Sequence, residues 1–188
     1  QYIDLLQQLT NQNTMEQNKE QLIRLLTDKE NFEQATAIEQ SMPDVRKHIF
    51  QDIFRKQVEE QLAKENAPKV TIADCTSDGY SSYTISFHPD GWAQDNLFRF
   101  TTEGGKMYYG VRRAVVQEGM HDEKIDATGY HRNPWWIVWK WMPEEYQNWS
   151  KDSKIFMQIL SADKVAAAMV QCIKNTLLFI ADNHIELK

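Results

Sequence analysis

The chain has 188 residues, 41% of them hydrophobic and 26% charged, with a formal net charge of −6 at pH 7. That is room for one ordinary globular domain, and the acidic balance excludes nucleic-acid binding by bulk charge, since phosphate contacts need basic groups that displace counterions. Cys75 and Cys172 stand far apart with no Cys-x-x-Cys, so a disulfide framework is excluded and a reducing, cytoplasmic setting is expected. No apolar stretch approaches the ~20 residues of a membrane span.

In chain order, Tyr2, Ile3, Leu5, Leu6 and Leu9 predict the tail of a helix, closed by the polar run from Thr10 to Asn13. A glutamine start in mid-phrase, with no basic-then-apolar leader, predicts a piece of a longer protein. Thr14 and Gln17 have the spacing of a capping box for a helix carrying Leu22, Ile23, Leu25 and Leu26. Asp28 is expected to cap a short helix that buries Phe32, Ala35 and Ile38. Ser41, followed by Pro43 and Asp44, reads as a fresh start with proline in the first turn. Val45, Ile49, Phe50, Ile53, Phe54, Val58 and Leu62 then recur at helical spacing, and Asn66 and Pro68 end the run.

The period then changes to two. Val70 and Ile72, then Tyr83, Ile85 and Phe87, alternate with polar neighbours, as in half-buried strands. Pro89-Asp90-Gly91 is a turn; Phe98 and Phe100 continue the alternation. Glu103-Gly-Gly-Lys106 predicts a hairpin leading into a return strand with Met107, Tyr109, Val111, Arg113 and Val115. Strands joined by short turns predict an antiparallel meander. The polar, aperiodic stretch from Gln117 to Asn133 is expected to be a long loop.

Five of the six tryptophans follow, at positions 135, 136, 139, 141 and 149. Strict alternation would set Trp135, Ile137, Trp139 and Trp141 on one face of a strand, and Trp136, Val138, Lys140 and Met142 on the other. Apolar groups on both faces predict a covered strand with most rings in the core and Trp136 as the ring left free. Pro143 ends the strand, a short helix covers Glu144 to Trp149, and Ser161 caps a final long helix with the stripe Val165, Ala168, Met169, Cys172, Ile173, Leu177 and Ile180.

Candidate chemistry is sparse. His121-Asp122-Glu123 is the one dense ligand-type cluster, and adjacent residues cannot easily close on one ion. Cys75 with His88 has no nucleophile motif behind it. Gly104-Gly105 lies between strands and not before a helix, so it is a turn and not a phosphate cradle. The Pro43-Asp44 and Pro89-Asp90 pairs find no matching acidic-x-Lys on a neighbouring strand: Glu103 and Lys106 are three apart in a turn, and Asp122-Glu-Lys124 falls in the loop. The aromatic strand and Tyr108 and Tyr109 could stack bases or sugars. The run Arg99, Lys106, Arg112 and Arg113 is a local basic patch.

The opening phrase Tyr2 to Thr10, the helices, the meander with Tyr109-Gly110-Val111, the Trp-Trp-x-x-Trp strand and the closing helix together give the chain a likeness to a known group. It resembles the C-terminal half of a family of bacterial proteins in the PD-(D/E)XK nuclease superfamily. The resemblance implies that the catalytic carboxylates and lysine belong to an N-terminal nuclease-like domain outside this chain, and that the parent protein processes DNA, including foreign or phage DNA.

The expected fold is α+β: an antiparallel meander of about four to five strands, packed by N-terminal helices (1–66) and, within the 67–188 region, by a long C-terminal helix. The expected function is a non-catalytic accessory or recognition domain of such a nuclease-like protein, and the alternative is an independent small-ligand or peptide-binding module using the aromatic strand. Ligand contacts are expected at Trp136, Tyr108, Arg112, Arg113 and Arg132. No catalytic residue, metal or cofactor is assigned to the chain. The expected partner is the N-terminal nuclease-like domain, nucleic acid is a further candidate, and no membrane is expected.

Overall fold

The computed structural model describes residues 15–64, 69–93, 95–113, 115–116, 123–151 and 153–187. The Tyr2–Thr10 phrase, Thr14, the side chain of Gln17, the helix-ending Asn66 and Pro68, and His121-Asp122 lie outside them, as does the side chain of Glu123. The chain forms two compact units, 1–42 and 43–188, so the helices expected in a single 1–66 segment divide between them.

The first unit holds α1 (Met15–Leu26) and most of α2 (Lys29–His48). The carboxylate of Asp28 accepts the backbone N–H groups of Glu30 and Asn31 at 3.0 and 3.3 Å, the expected cap. The helix does not stop where a second start was expected. The Ser41 hydroxyl donates backward to the Ala37 carbonyl at 2.8 Å instead of capping, and α2 runs on through Pro43. Phe32 and Ile38, expected inside, are 61% and 38% exposed.

The second unit is an α+β layer pair. Strands β1 (Val70–Ser77), β2 (Tyr83–Pro89), β3 (Leu97–Glu103), β4 (Lys106–Arg112), β5 (His131–Asn133) and β6 (Trp136–Trp141) form one antiparallel sheet. Their order is β1-β2-β3-β4-β6-β5, with β6 inserted between β4 and β5. β5 lies within the stretch expected to be loop: there Glu123–Asp126 forms a turn of helix and His131–Asn133 pairs with β6. The return strand stops at Arg112, and Val115, expected within it, is 72% exposed. Gly104 and Gly105, with φ of 57° and 75°, make the β3–β4 hairpin turn that needs two left-handed residues.

One face of the sheet is the core. Tyr83, Ile85 and Phe87 of β2, Phe98 and Phe100 of β3, Met107, Tyr109 and Val111 of β4 and Val138 of β6 are all buried there. Over this face lie a π-helical turn (Ile49–Phe54), α3 (Arg55–Lys64), α5 (Ile155–Ser161) and α6 (Lys164–Asp182), α4 being the Glu123–Asp126 turn. The π turn keeps Phe50 and Phe54 both fully buried, with ring centroids 5.7 Å apart. α6 has the length and hydropathy of a membrane span by composition alone; its stripe Val165, Met169, Cys172, Ile173 and Ile180 is buried in the core.

Trp149 joins the two layers. The segment before it pairs with the start of β4, the Met107 N–H donating to the Gln147 carbonyl and the Trp149 N–H to the Gly105 carbonyl. The indole is thereby set among Phe50, Phe54, Tyr83 and Phe156 at centroid distances of 5.5–6.1 Å, and its N–H donates to the Tyr146 carbonyl. Trp149→Ala is therefore expected to cost about 3–5 kcal/mol of stability, whereas Phe32→Ala at its exposed site should cost less than about 0.5 kcal/mol. Urea unfolding of both variants checks this, and equal losses would refute the assignment of the core.

Candidate functional site

Period-two alternation that buries Tyr109 must turn Tyr108 to the other face. That face carries a second aromatic group. The Tyr108 ring sits edge-on to Trp136, Trp139 and Trp141, at centroid distances of 5.2, 5.7 and 5.4 Å. Trp139 and Trp141 stand perpendicular to each other at 5.7 Å, and the His131 ring lies 4.8 Å from Trp139. Tyr108, Trp139 and Trp141 are half-buried, unlike the core rings behind them.

Trp136 reaches this group through a bulge. Val111 pairs with Val138, but Arg112 pairs with Trp136, so two residues of β6 oppose one step of β4. The extra residue shifts Trp136 onto the face of Trp139 and Trp141, where strict alternation would not have placed it. Trp136 is also 7% exposed and not the free ring; the exposed one is Trp135, at 54%, in the β5–β6 turn. The Asn133 carboxamide oxygen holds that turn by accepting the N–H groups of Trp135 and Trp136, each at 2.9 Å.

The register draws one row straight across the sheet: Asp74, Ser86, Arg99, Gly110, Trp139, His131. Gly110 lies in the row between Arg99 and Trp139 and is itself buried. A Cβ there would lie 2.1 Å from the Val138 carbonyl oxygen and 2.7 Å from the Trp139 Cα, so β4 and β6 close tightly only because position 110 has no side chain. Arg99 donates to the Ser86 hydroxyl at 2.9 Å, which fixes its stem. Arg112 is diagonal to it on β4 and exposed. Neither arginine is ion-paired to a carboxylate among the described residues. Burial holds the Arg99 guanidinium below its ordinary range, the Arg112 charge pushes the same way, and Asp74 pulls back. Burial raises the Tyr108 hydroxyl, and Glu103 adds to that against the two arginines. The Trp139 indole N–H is buried with no acceptor among the described residues.

The five expected contact residues thus split. Tyr108, Trp136 and Arg112 share the aromatic face. Arg113 and Arg132 do not join them: alternation turns both to the other side, where Arg113 is buried and the Arg132 Nε donates to the Ile137 carbonyl at 2.9 Å. Burial lowers the Arg113 guanidinium, and the Arg132 charge adds to it. Trp139, Trp141, Arg99, Gly110 and His131 complete the face. Arg99 could have been assigned from its place between Phe98 and Phe100; its neighbours across the sheet could not.

Other candidates do not assemble. Cys75 lies on the core face opposite Ile85 and donates weakly to the Phe50 carbonyl, while His88 pairs with Thr71 on the other face. Among the described residues no three His, Cys, Asp or Glu side chains come together to hold a metal ion. His131 Nδ1 is 3.0 Å from the Asp126 carboxylate, an isolated pair beside Trp139. A groove of about 610 Å³ beside α5, lined by Tyr146, Met157, Lys154, Lys164 and Glu145, carries both charge signs and no convergent polar group. No protein-family model, curated protein or solved structure is found to match the chain.

Two measurements check this geometry. Gly110→Ala should destabilise the protein by about 1–3 kcal/mol, the ordinary cost of forcing atoms into a packed site, read by thermal or urea unfolding. Burial, with smaller opposing help from Arg55, pushes the Cys75 thiol from 9.0 up to about 12, so it stays protonated where an unfolded cysteine ionises. Native Cys75 should alkylate with iodoacetamide at pH 8.5 at least about tenfold more slowly than in urea. Folding contributed by this group is present below pH 9 and declines as pH rises from there toward 12.

Proposed function

We propose that this chain is a non-catalytic recognition module whose working surface is the open aromatic face of the sheet, and that it serves a nuclease-like bacterial protein engaged in DNA processing or defence against foreign DNA. The single observation that carries the recognition reading is the second aromatic group itself. The protein already has a complete core on the helical side, yet it gathers three further rings around Tyr108 on the side away from the helices and sets beside them two arginines that have no carboxylate ion pair among the described residues. Half-buried aromatics flanked by guanidinium groups are a stacking surface for a planar ligand. The link to a nuclease-like parent is supported by the order of sequence signals from Tyr2 to the closing helix, and it assigns the chemistry and the partner role to an N-terminal domain. A cytoplasmic site agrees with the two free thiols.

The net charge of −6 favours a compact ligand or a short contact over a long phosphate track. Intrinsic tryptophan emission reads the surface directly. Titration with a panel of nucleotides, oligosaccharides and peptides should change the emission for at least one class, and Tyr108→Ala should abolish that change while leaving the unfolding midpoint within a few degrees. A panel that leaves the emission unaltered would remove the recognition reading. Metal-dependent DNA cleavage by the purified chain, lost on mutation of Asp122 or Glu123, would remove the non-catalytic one.

A further inference from the structure

We infer that the ligand of this face is a free nucleotide, its base laid against the Tyr108–Trp139–Trp141 rings and its phosphate held by Arg99 and Arg112 on the same face. The inference rests on reading the aromatic face as a recognition surface and names what that surface takes.

Two observations support it. The first is the charge arrangement. Arg99 pairs with Gly110 and Leu97 with Arg112, so the two arginines are diagonal neighbours, about 7–8 Å apart at Cβ in an ordinary sheet. Two guanidinium groups held that close repel each other, and among the described residues no carboxylate is paired with either to neutralise them. A bidentate anion such as phosphate supplies the missing charge in the geometry that guanidinium groups bind best.

The second is the juxtaposition of rings and charge. The register places Tyr108 and Arg112 two residues to either side of Gly110 on β4, with Arg99 across from it on β3 and Trp139 across from it on β6, so half-buried rings and both guanidinium groups adjoin on one face. A ligand that carries a planar ring and an anionic group matches that pairing.

A nucleotide within a long single strand fits less well than a free one. Strand binding needs a basic groove that follows the backbone, and here the charge on the face is limited. Beyond Arg99 and Arg112, the row ends in Asp74 at one edge, Glu103 lies near Tyr108, and the whole protein is acidic. Two arginines suffice for one phosphate group.

Isothermal titration and tryptophan quenching with AMP, GMP, CMP and UMP, beside adenosine, inorganic phosphate, a ten-residue oligothymidylate and maltotriose, test this. At least one monophosphate should bind with quenching, and its nucleoside should bind about tenfold or more weakly. Arg112→Ala, at an exposed position, should cost about tenfold in affinity, with partial recovery in Arg112→Lys, and Tyr108→Ala should abolish binding. Equal binding of nucleoside and monophosphate, or an oligothymidylate bound more than about a hundredfold tighter than any monophosphate, overturns the inference. Maltotriose or oligothymidylate binding that Tyr108→Ala removes, with no monophosphate binding, overturns the inference and leaves the recognition surface standing. No binding by any probe overturns both.

Discussion

The burial of Trp149 among Phe50, Phe54, Tyr83 and Phe156 sets the rest of the second unit in place. These five residues come from the π turn, from β2, from the segment after β6 and from α5, so their contact fixes which face of the sheet the helices cover. Edge-to-face aromatic pairs add to the area that such large groups remove from water. Once Tyr83, Phe100 and Tyr109 face the helices, the pleat leaves Thr84, Arg99 and Tyr108 no choice but the opposite side. The open face is a consequence of the core.

That face is then shaped by two local features of the β4–β6 pair. Gly110 lets the strands approach until a Cβ would strike the Val138 carbonyl. The bulge next to it brings Trp136 round to the side of Trp139 and Trp141. Trp136 is buried by its neighbours and acts as a support, holding Tyr108 upright between Trp139 and Trp141. The aromatic group is therefore rigid at its base and accessible at its rim. A preorganised surface of that kind loses little entropy on binding.

Electrostatics distinguishes the two sides of the same strand end. Arg112 is exposed beside Arg99 with no carboxylate partner among the described residues, whereas Arg113 is buried next to Arg132 and both make further contacts. Consecutive arginines thus have unlike surroundings. Arg112 stays on the aromatic face, and Arg113 belongs to the packing at the end of β4, where its backbone N–H also donates to the Trp135 carbonyl.

Much of the fold was legible in the chain itself. Helical spacing from Ile49 to Leu62, period-two alternation from Tyr83 to Val111 and the Gly104-Gly105 hairpin are local patterns, dictated by backbone geometry, and the α+β class with an antiparallel sheet follows from them. Local pattern failed where a distant partner decides. Asp28 was a cap but Ser41 was not, because a serine hydroxyl can equally donate back to the Ala37 carbonyl inside a helix. His131–Asn133 has too little pattern to announce a strand, and becomes one only because β6 lies beside it. The tryptophan run declared itself by composition, but its alternation misassigned Trp136 because a bulge is a property of two paired strands. By itself the sequence determined the elements and which residues could stack or carry charge. Only the tertiary structure decided that Tyr108, Trp139, Arg99 and Arg112 share one surface, because cross-strand register joins residues up to some forty positions apart through hydrogen bonds that no single segment can specify.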